Sequence, residues 1–268
     1  MMKNPLQAPL FSPDSDWTPP EVLPDLTKAK EICIDLETRD PSLKEKGAGW
    51  ARGEGHVVGY AVATESWSGY LPVKHEAGGN LNEKLVKNWL QDQINGGSDI
   101  ICHNASYDIG WMRREGITLS GNRLIDTMVS APLIDENRFS YALNALGKSY
   151  LQERKDESLL RDAAEAWNVD AKGGLHQLPP MYVGPYAEQD ALLTLKLWEW
   201  QKGEMTRQDL WSIFDLESSI TPLLIEMRWR GVKVDLDKAD KLSKWFRAKE
   251  PAYRSWFSVF STGLVRIS

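Results

Sequence analysis

Residues 31–38 read EICIDLET. The stretch alternates and is rich in apolar and β-compatible residues, which predicts a strand. On a strand, residues i and i+2 point to the same face. Asp35 and Glu37 therefore leave one side of a sheet together, near its end. Two acidic side chains at that spacing repel each other unless a positive group sits between them. A divalent cation held by oxygen ligands, Mg²⁺ or Mn²⁺, is the usual answer. D-x-E is also common on solvated surfaces, so the pair gains meaning only if the rest of the chain supplies more ligands.

At 268 residues the chain is long enough for one large domain or two small ones, and 42% apolar residues with 12 Trp suffice for a packed core. No apolar run reaches the roughly 20 residues of a membrane helix. The first 26 residues lack the basic start and apolar centre of a signal peptide, so a cytoplasmic protein is expected. Cys33 and Cys102 lie in apolar strand-like runs and read as reduced, inert core thiols. The net charge of −6 argues against a broadly basic nucleic-acid binder. It leaves room for an enzyme that meets nucleic acid through metals, which bring their own positive charge.

Residues 1–28, rich in Pro and acidic groups, read as an N-terminal arm. A strand at about 30–36 is followed by a Gly-rich loop (40–55). A hairpin of 55–64 and 66–73 turns at Glu65 and Ser66. Helical periodicity covers 81–94, with Asn80 as the expected cap. A short buried strand (98–104) leads into a helix at 105–116. Further helices are expected at 126–135 and 140–151. A polar stretch comes next, then a long amphipathic helix at 184–205, a helix from about 208 to Gly231, and a last basic-aromatic helix. The order predicts one α/β domain, a mixed sheet flanked by helices, with a C-terminal helical extension.

Three more positions extend the acidic pair. In HNASYDIGWM (103–112) the strand-to-helix junction puts Asp108 in the first helical turn, near the carboxyl end of the strand, where open α/β sheets build their sites. In YAEQD (186–190), Tyr186 and Asp190 are four apart and share a helix face. Singly, Asp108 reads as a residue favoured at a helix N-terminus, and Tyr186 as a half-buried aromatic. Jointly, D-x-E on a strand, N-x-x-Y-D at a strand–helix junction and Y-x-x-x-D on a late helix occur in order, each in the context it needs.

These three segments resemble the three motifs of the DEDD 3′–5′ exonucleases, in the subgroup whose third motif carries tyrosine. That family includes RNase D and the proofreading domain of family A DNA polymerases. The resemblance spans 29–203, and RLIDTMVSAPLID (123–135) and YALNALGKSYL (141–151) share in it. It implies an RNase H-like fold. Residues 215–235 resemble the passage from exonuclease domain to thumb in a family A polymerase, so 204–268 is expected as a helical extension of that kind. The loop GAGWARGEGHVVGYAVA and the segment HEAGGNL resemble phage-type members, with host cytoplasm as the expected location if phage-encoded. No D-x-S-x-x-E or H-D-E polymerase motif occurs after residue 203. The roughly 60 residues after the exonuclease segment are too few for a palm domain.

What the resemblance implies is two-metal hydrolysis of a 3′-terminal phosphodiester of single-stranded DNA, releasing nucleoside monophosphates. Asp35, Glu37 and Asp190 would hold one Mg²⁺ or Mn²⁺. Asp35 would bridge to the second, Asp108 would act there through water, and Tyr186 would orient the attacking water. Thr38 would offer its backbone N–H to the terminal nucleotide. Asn104 either holds substrate or caps the helix, and Tyr107 either packs or faces the nucleotide. His103 and His75 read as structural, and Arg113 and Arg114 as a solvated helix face. Lys44, Lys46 and Arg52 in the Gly-rich loop are the candidates for phosphate contact. A separate polymerase subunit is a conceivable partner. An RNase D-like exoribonuclease and a non-catalytic DNA-binding or polymerase-docking module are the alternatives. The module is disfavoured because all four carboxylates and the tyrosine are present.

Overall fold

The computed structural model describes residue 9 and residues 11–263, with side chains as far as residue 250. Strand β1 (Glu31–Arg39) is central in a five-stranded sheet of order β3-β2-β1-β4-β5. It pairs antiparallel with β2 (His56–Ala63) and parallel with β4 (Asp99–Cys102). β3 (Ser68–Pro72) continues the antiparallel side, and β5 (Leu124–Asp126) the parallel side. The mixed sheet with helices on both faces is the architecture expected from the element order.

The period-two pattern of β1 sorts its residues onto two cores. Ile32, Ile34 and Leu36 join Leu90 and Ile94 of α2 (Glu83–Asn95) and Trp111 of α3 (Ala105–Arg114). Cys33 lies on the opposite face with Ala61, Ala63 and Ile101. That face is covered by α7 (Pro180–Gln208) through Val183, Ala187, Ala191 and Leu195. Small residues on strand and helix let α7 approach closely. Asp35 and Glu37 continue the Cys33 face, so the packing that buries β1 also carries its carboxylates toward α7.

The remaining helices are α1 (Leu43–Lys46), α4 (Thr127–Ile134), α5 (Leu143–Leu146), α6 (Ser158–Ala166) and α8 (Trp211–Arg230). The fold forms two compact units, one ending at Trp229 and the other starting at Arg230. In the second, α9 (Leu236–Gly263) is a 28-residue helix on which Trp245 and Phe246 meet edge-on, centroids 4.9 Å apart. No helix among the described residues is long and apolar enough to cross a membrane.

Several local expectations change. The cap of α2 is Asn82, whose side chain accepts from Leu85 N–H at 3.1 Å. Asn80 instead brackets His75, accepting its N–H at 2.7 Å and donating to its carbonyl at 2.8 Å. Strand β5 was hidden because three residues are too few to show alternation. The expected helix at 140–151 is α5 followed by a π turn over Gly147–Leu151. The polar stretch after it contains α6, whose apolar positions Leu160, Ala163 and Ala164 are buried. Arg113 is not simply solvated: it donates to Glu226 on α8 at 2.6 Å and lies 4.5 Å from the Trp229 ring centre.

The described part of the N-terminal arm is anchored at particular residues, while Phe11 and Val22 are exposed. Leu26 is buried and its N–H donates to Gln93. Trp17 sits against Tyr70 and donates through Nε1 to Glu188 of α7 at 2.9 Å. A close approach of another kind supports α3, where the buried Trp50 ring lies over Gly110. A Cβ there would fall 2.1 Å from the ring. Gly110→Ala is expected to destabilise the chain by about 1–3 kcal/mol despite alanine's better helix propensity, because Trp50 has nowhere to move. Urea unfolding measures this, and unchanged stability would show the Trp50 contact to be soft.

Candidate active site

Three elements bring the acidic residues together. A bulge between Glu37 and Thr38 breaks the β1–β2 register just after the D-x-E pair. Asp190 descends from α7, two turns beyond Val183. The carboxylates of Asp35, Glu37 and Asp190 offer oxygen atoms that all lie within 4.8 Å of one another. Glu37 and Asp190 are buried and Asp35 is half-buried. Asp108, also buried, stands in the first turn of α3 and accepts from the backbone N–H of Leu36. It lies beside the three-carboxylate group rather than within it.

The electrostatics follow from crowding. Burial, and then the charge of Asp190, push Asp35 up to about 7, against the pull of Lys155. Burial, with Asp35 and Asp190 adding to it, raises Glu37 well above the usual carboxylate range. Asp108 is raised by burial and then by Asp35, Asp126 and Glu37. Asp190 is raised by burial and drawn back by Lys155 and by a hydrogen bond from Tyr186. Burial and then the charges of Glu37, Asp190 and Asp35 hold the Tyr186 phenol firmly in its protonated form. The cluster cannot carry its full charge without a cation. An all-carboxylate donor set at this spacing suits a hard divalent ion.

Around the cluster, Thr38 donates its hydroxyl to Tyr107 at 2.7 Å, and Tyr107 donates to Asp40 at 3.3 Å. Asp40 also accepts from Gly49 N–H at 2.7 Å, so this chain ties the end of β1 to the Gly-rich loop. Tyr107 is partly buried against the core, and burial pushes its phenol up to about 12. Asn104 adopts a left-handed backbone with φ of 78° and makes no side-chain cap, which removes the capping alternative. The start of α3 is held by Asp126, which accepts from Asn104 N–H at 2.9 Å and Ala105 N–H at 2.8 Å, and also from Met128 N–H on α4.

Arg52 is engaged within its own loop, donating to the carbonyls of Lys46 and Gly47 and to Glu54. It is therefore a poor candidate for phosphate contact. His103 bonds Thr127 at 2.8 Å, and His75 bonds Tyr70 and Leu178. Burial lowers both imidazoles to about 4, so they act as neutral structural groups.

The residue that sequence reasoning missed is Lys155. It lies in the charged run ERKDE, which reads as solvated loop. In the fold its ammonium pairs with Asp190, with both side chains only 8% exposed, and lies 5.1 Å from the Tyr186 ring centre. A cavity of about 220 Å³ adjoins the cluster, bounded by Glu37, Tyr186, Leu160, Leu175, Arg161 and Lys172.

Residues 14–201 match a family described as 3′–5′ exonuclease, that of polymerase I-like DNA polymerases. A DNA-directed DNA polymerase of Pseudomonas phage M6 is 38% identical over 252 residues, covering 91% of this chain and 38% of that protein. A DNA polymerase DpoZ of Acinetobacter phage SH-Ab 15497 is 35% identical, covering 81% of this chain and 34% of that protein. The chain thus spans little more than a third of the length of these relatives. Among solved structures, Brucella melitensis NrnC with bound Mg²⁺ shares the fold at a TM-score of 0.53 and 15% identity, over 80% of this chain and 94% of that one. On the strength of the sequence matches, the chain belongs to the 3′–5′ exonuclease family of polymerase I-like DNA polymerases.

Proposed function

We propose that the chain removes nucleotides from the 3′ end of single-stranded DNA, as a proofreading-type exonuclease of the tyrosine subgroup. The observation that carries this is the convergence of Asp35, Glu37 and Asp190 within 4.8 Å, with Tyr186 one turn before Asp190 on the same helix. Water adds to the terminal phosphorus, and the bond to the 3′ oxygen of the penultimate nucleotide breaks, releasing a nucleoside monophosphate. Asp35, Glu37 and Asp190 would hold one divalent cation, and Asp35 with Asp108 a second, Mg²⁺ or Mn²⁺. When bound, these ions supply the Lewis acidity the hydrolysis requires.

The chain's own groups divide the rest of the work. Tyr186 stays protonated on the helix that carries Asp190, so it orients water and does not accept its proton. Thr38 sits just past the bulge, with its hydroxyl bonded to Tyr107, and is the candidate to offer its backbone N–H to the terminal nucleotide. The apolar wall of the adjoining cavity, Leu160 and Leu175, suits a base, and Lys172 supplies positive charge at its rim, where Arg161 is paired with Glu157 at 2.6 Å. Asn104 and Tyr107 remain candidates for substrate contact at the start of α3.

Incubation with 5′-labelled single-stranded DNA and RNA, with and without Mg²⁺ or Mn²⁺, tests this reading. A ladder of 5′-labelled products that requires metal is expected on DNA. Undiminished cleavage in excess chelator, or early release of the label as a mononucleotide, would overturn it, and a preference for RNA would favour the exoribonuclease alternative.

Tyr186→Phe keeps the ring and removes the hydroxyl. It should leave Mn²⁺ affinity nearly intact and lower the single-turnover rate by roughly 10–1000-fold. A wild-type rate would return Tyr186 to a packing role.

Asp35→Ala and Asp190→Ala should both abolish cleavage, but they should differ in stability. Removing Asp35 relieves repulsion, so the metal-free variant should be no less stable. Removing Asp190 strands the buried ammonium of Lys155, which should cost roughly 3 kcal/mol. Equal melting temperatures for the two variants would contradict this.

The raised Asp35 also predicts a pH dependence. Its folded value of about 7 lies above the ordinary 3.8. Its contribution to stability is therefore complete below about 4 and is lost as pH rises through about 7. The metal-free protein should melt at lower temperature as pH rises from roughly 5 to 8. Asp35→Asn should flatten that slope, and saturating Mn²⁺ should raise the melting point most at the alkaline end. An identical slope in wild type and Asp35→Asn would refute the coupling.

A further inference from the structure

Lys155 is placed with more care than a surface lysine needs. Gln189, the neighbour of Asp190 on α7, grips the backbone on both sides of it. The Gln189 side chain accepts from Asp156 N–H at 3.0 Å and donates to the Arg154 carbonyl at 3.5 Å. The Lys155 N–H itself reaches Asn144 Oδ1 at 3.5 Å. Two residues earlier, Glu153 receives Lys196 of α7 at 2.8 Å on each oxygen. The helix that carries Asp190 therefore also fixes the loop that carries its ammonium partner. The four-carbon stem reaches from that fixed backbone to Asp190 and past the Tyr186 ring, and its rotatable bonds allow the ammonium more than one position.

An ammonium in contact with Asp190 stands where a divalent cation held by Asp190 would meet it. Like charges at such a distance, shielded from water, repel strongly. One of them must yield. The displaced ammonium is poorly exposed and costly to leave unpaired, and it stays tethered beside Tyr186. A substrate brings one new anionic group to this place, the phosphodiester.

Building on the phosphodiesterase reading above, we propose that Lys155 is a competing cation of the site. It holds Asp190 while metal is absent, yields it as the metal binds, and then contacts the non-bridging oxygens of the scissile phosphodiester. Lys155 is thereby a catalytic residue as well as the counter-charge that keeps the metal-free cluster assembled.

The test uses the whole chain and Mn²⁺. Lys155→Met removes the charge and keeps the length of the side chain. It should bind Mn²⁺ roughly tenfold tighter than wild type, since a competing ligand is gone, and its metal-free form should melt lower. At saturating Mn²⁺ its single-turnover rate on 5′-labelled DNA should fall roughly tenfold or more. Lys155→Arg, which keeps the charge, should leave Mn²⁺ affinity within a small factor of wild type. Gln189→Ala loosens the loop with Lys155 still present, and should tighten Mn²⁺ binding by a smaller factor than Lys155→Met. This variant serves if Lys155→Met fails to fold.

Mn²⁺ affinity that is unchanged or weaker in both Lys155→Met and Gln189→Ala would overturn the competition; a purely structural lysine predicts that result together with the lower melting point. A wild-type rate in Lys155→Met at saturating metal would overturn the phosphate contact. Should the wild-type chain itself fail to cleave DNA, the nuclease reading falls, while the Mn²⁺ measurements still decide the competition.

Discussion

Mutual repulsion among carboxylates that share a small, dry space is the constraint on which this structure turns. Asp35 and Glu37 are on one face because a strand alternates with period two, and neither can turn away without breaking the sheet. β1 is held by β2 on one side and by β4 on the other, so its direction is settled by two ladders. Asp190 is forced down on them because α7 packs through Ala187 and Ala191 against Cys33, Ala61 and Ala63. Hydrophobic burial on that face supplies what assembles the acids, and the acids store part of it as strain that a cation releases. Burial raises every member of the cluster. A site of this kind favours cations before any particular chemistry is considered.

The five residues YAEQD show how much one helical segment can carry at 100° per residue. Tyr186 and Asp190 share the face toward the carboxylates. Ala187 is fully buried against the sheet. Glu188 points elsewhere, accepting from Trp17 Nε1 and from Tyr70 N–H, and so fastens α7 to β3 and to the N-terminal segment. Gln189 grips the loop around Lys155. Each neighbour of the two site residues thus fixes the helix against a different part of the fold, which limits rotation about its axis. Precise placement of Asp190 rests on these contacts as much as on the core.

The acidic positions were legible in the sequence because each is bound to a local pattern: D-x-E to strand alternation, Asp108 to a strand–helix junction, Tyr186 and Asp190 to helical spacing. The sheet and long helices were legible for the same reason. What was not legible depends on contacts far apart in sequence. Lys155 looks like any lysine in a charged loop until Gln189, more than thirty residues later, fixes that loop beside Asp190. Asp126 gives no sign that it caps α3 as well as α4, and Asn104 looks like the cap that Asp126 provides. Strand β5 has too few residues for a period, and its pairing with β4 defines it. Arg52 carries the charge a phosphate needs, yet the carbonyls of its own loop had already claimed it.

Asp108 depends on a further tier of support. It rides on α3, whose start is fixed by Asp126 and whose middle is fitted beneath Trp50 at Gly110. The far end of α3 carries Arg113, which bonds Glu226 and lies over Trp229, and Trp229 stacks in turn on Trp50 at 6.2 Å. Glu226 and Trp229 belong to α8, which begins after the family match has ended at residue 201. Phe214, Thr221 and Ile225 of that helix are buried. α8 is therefore part of the frame that positions Asp108, although it contributes no group to the cluster. The helix ties through Trp50 to the Gly-rich loop and through Arg113 to α3, the element that carries Asp108.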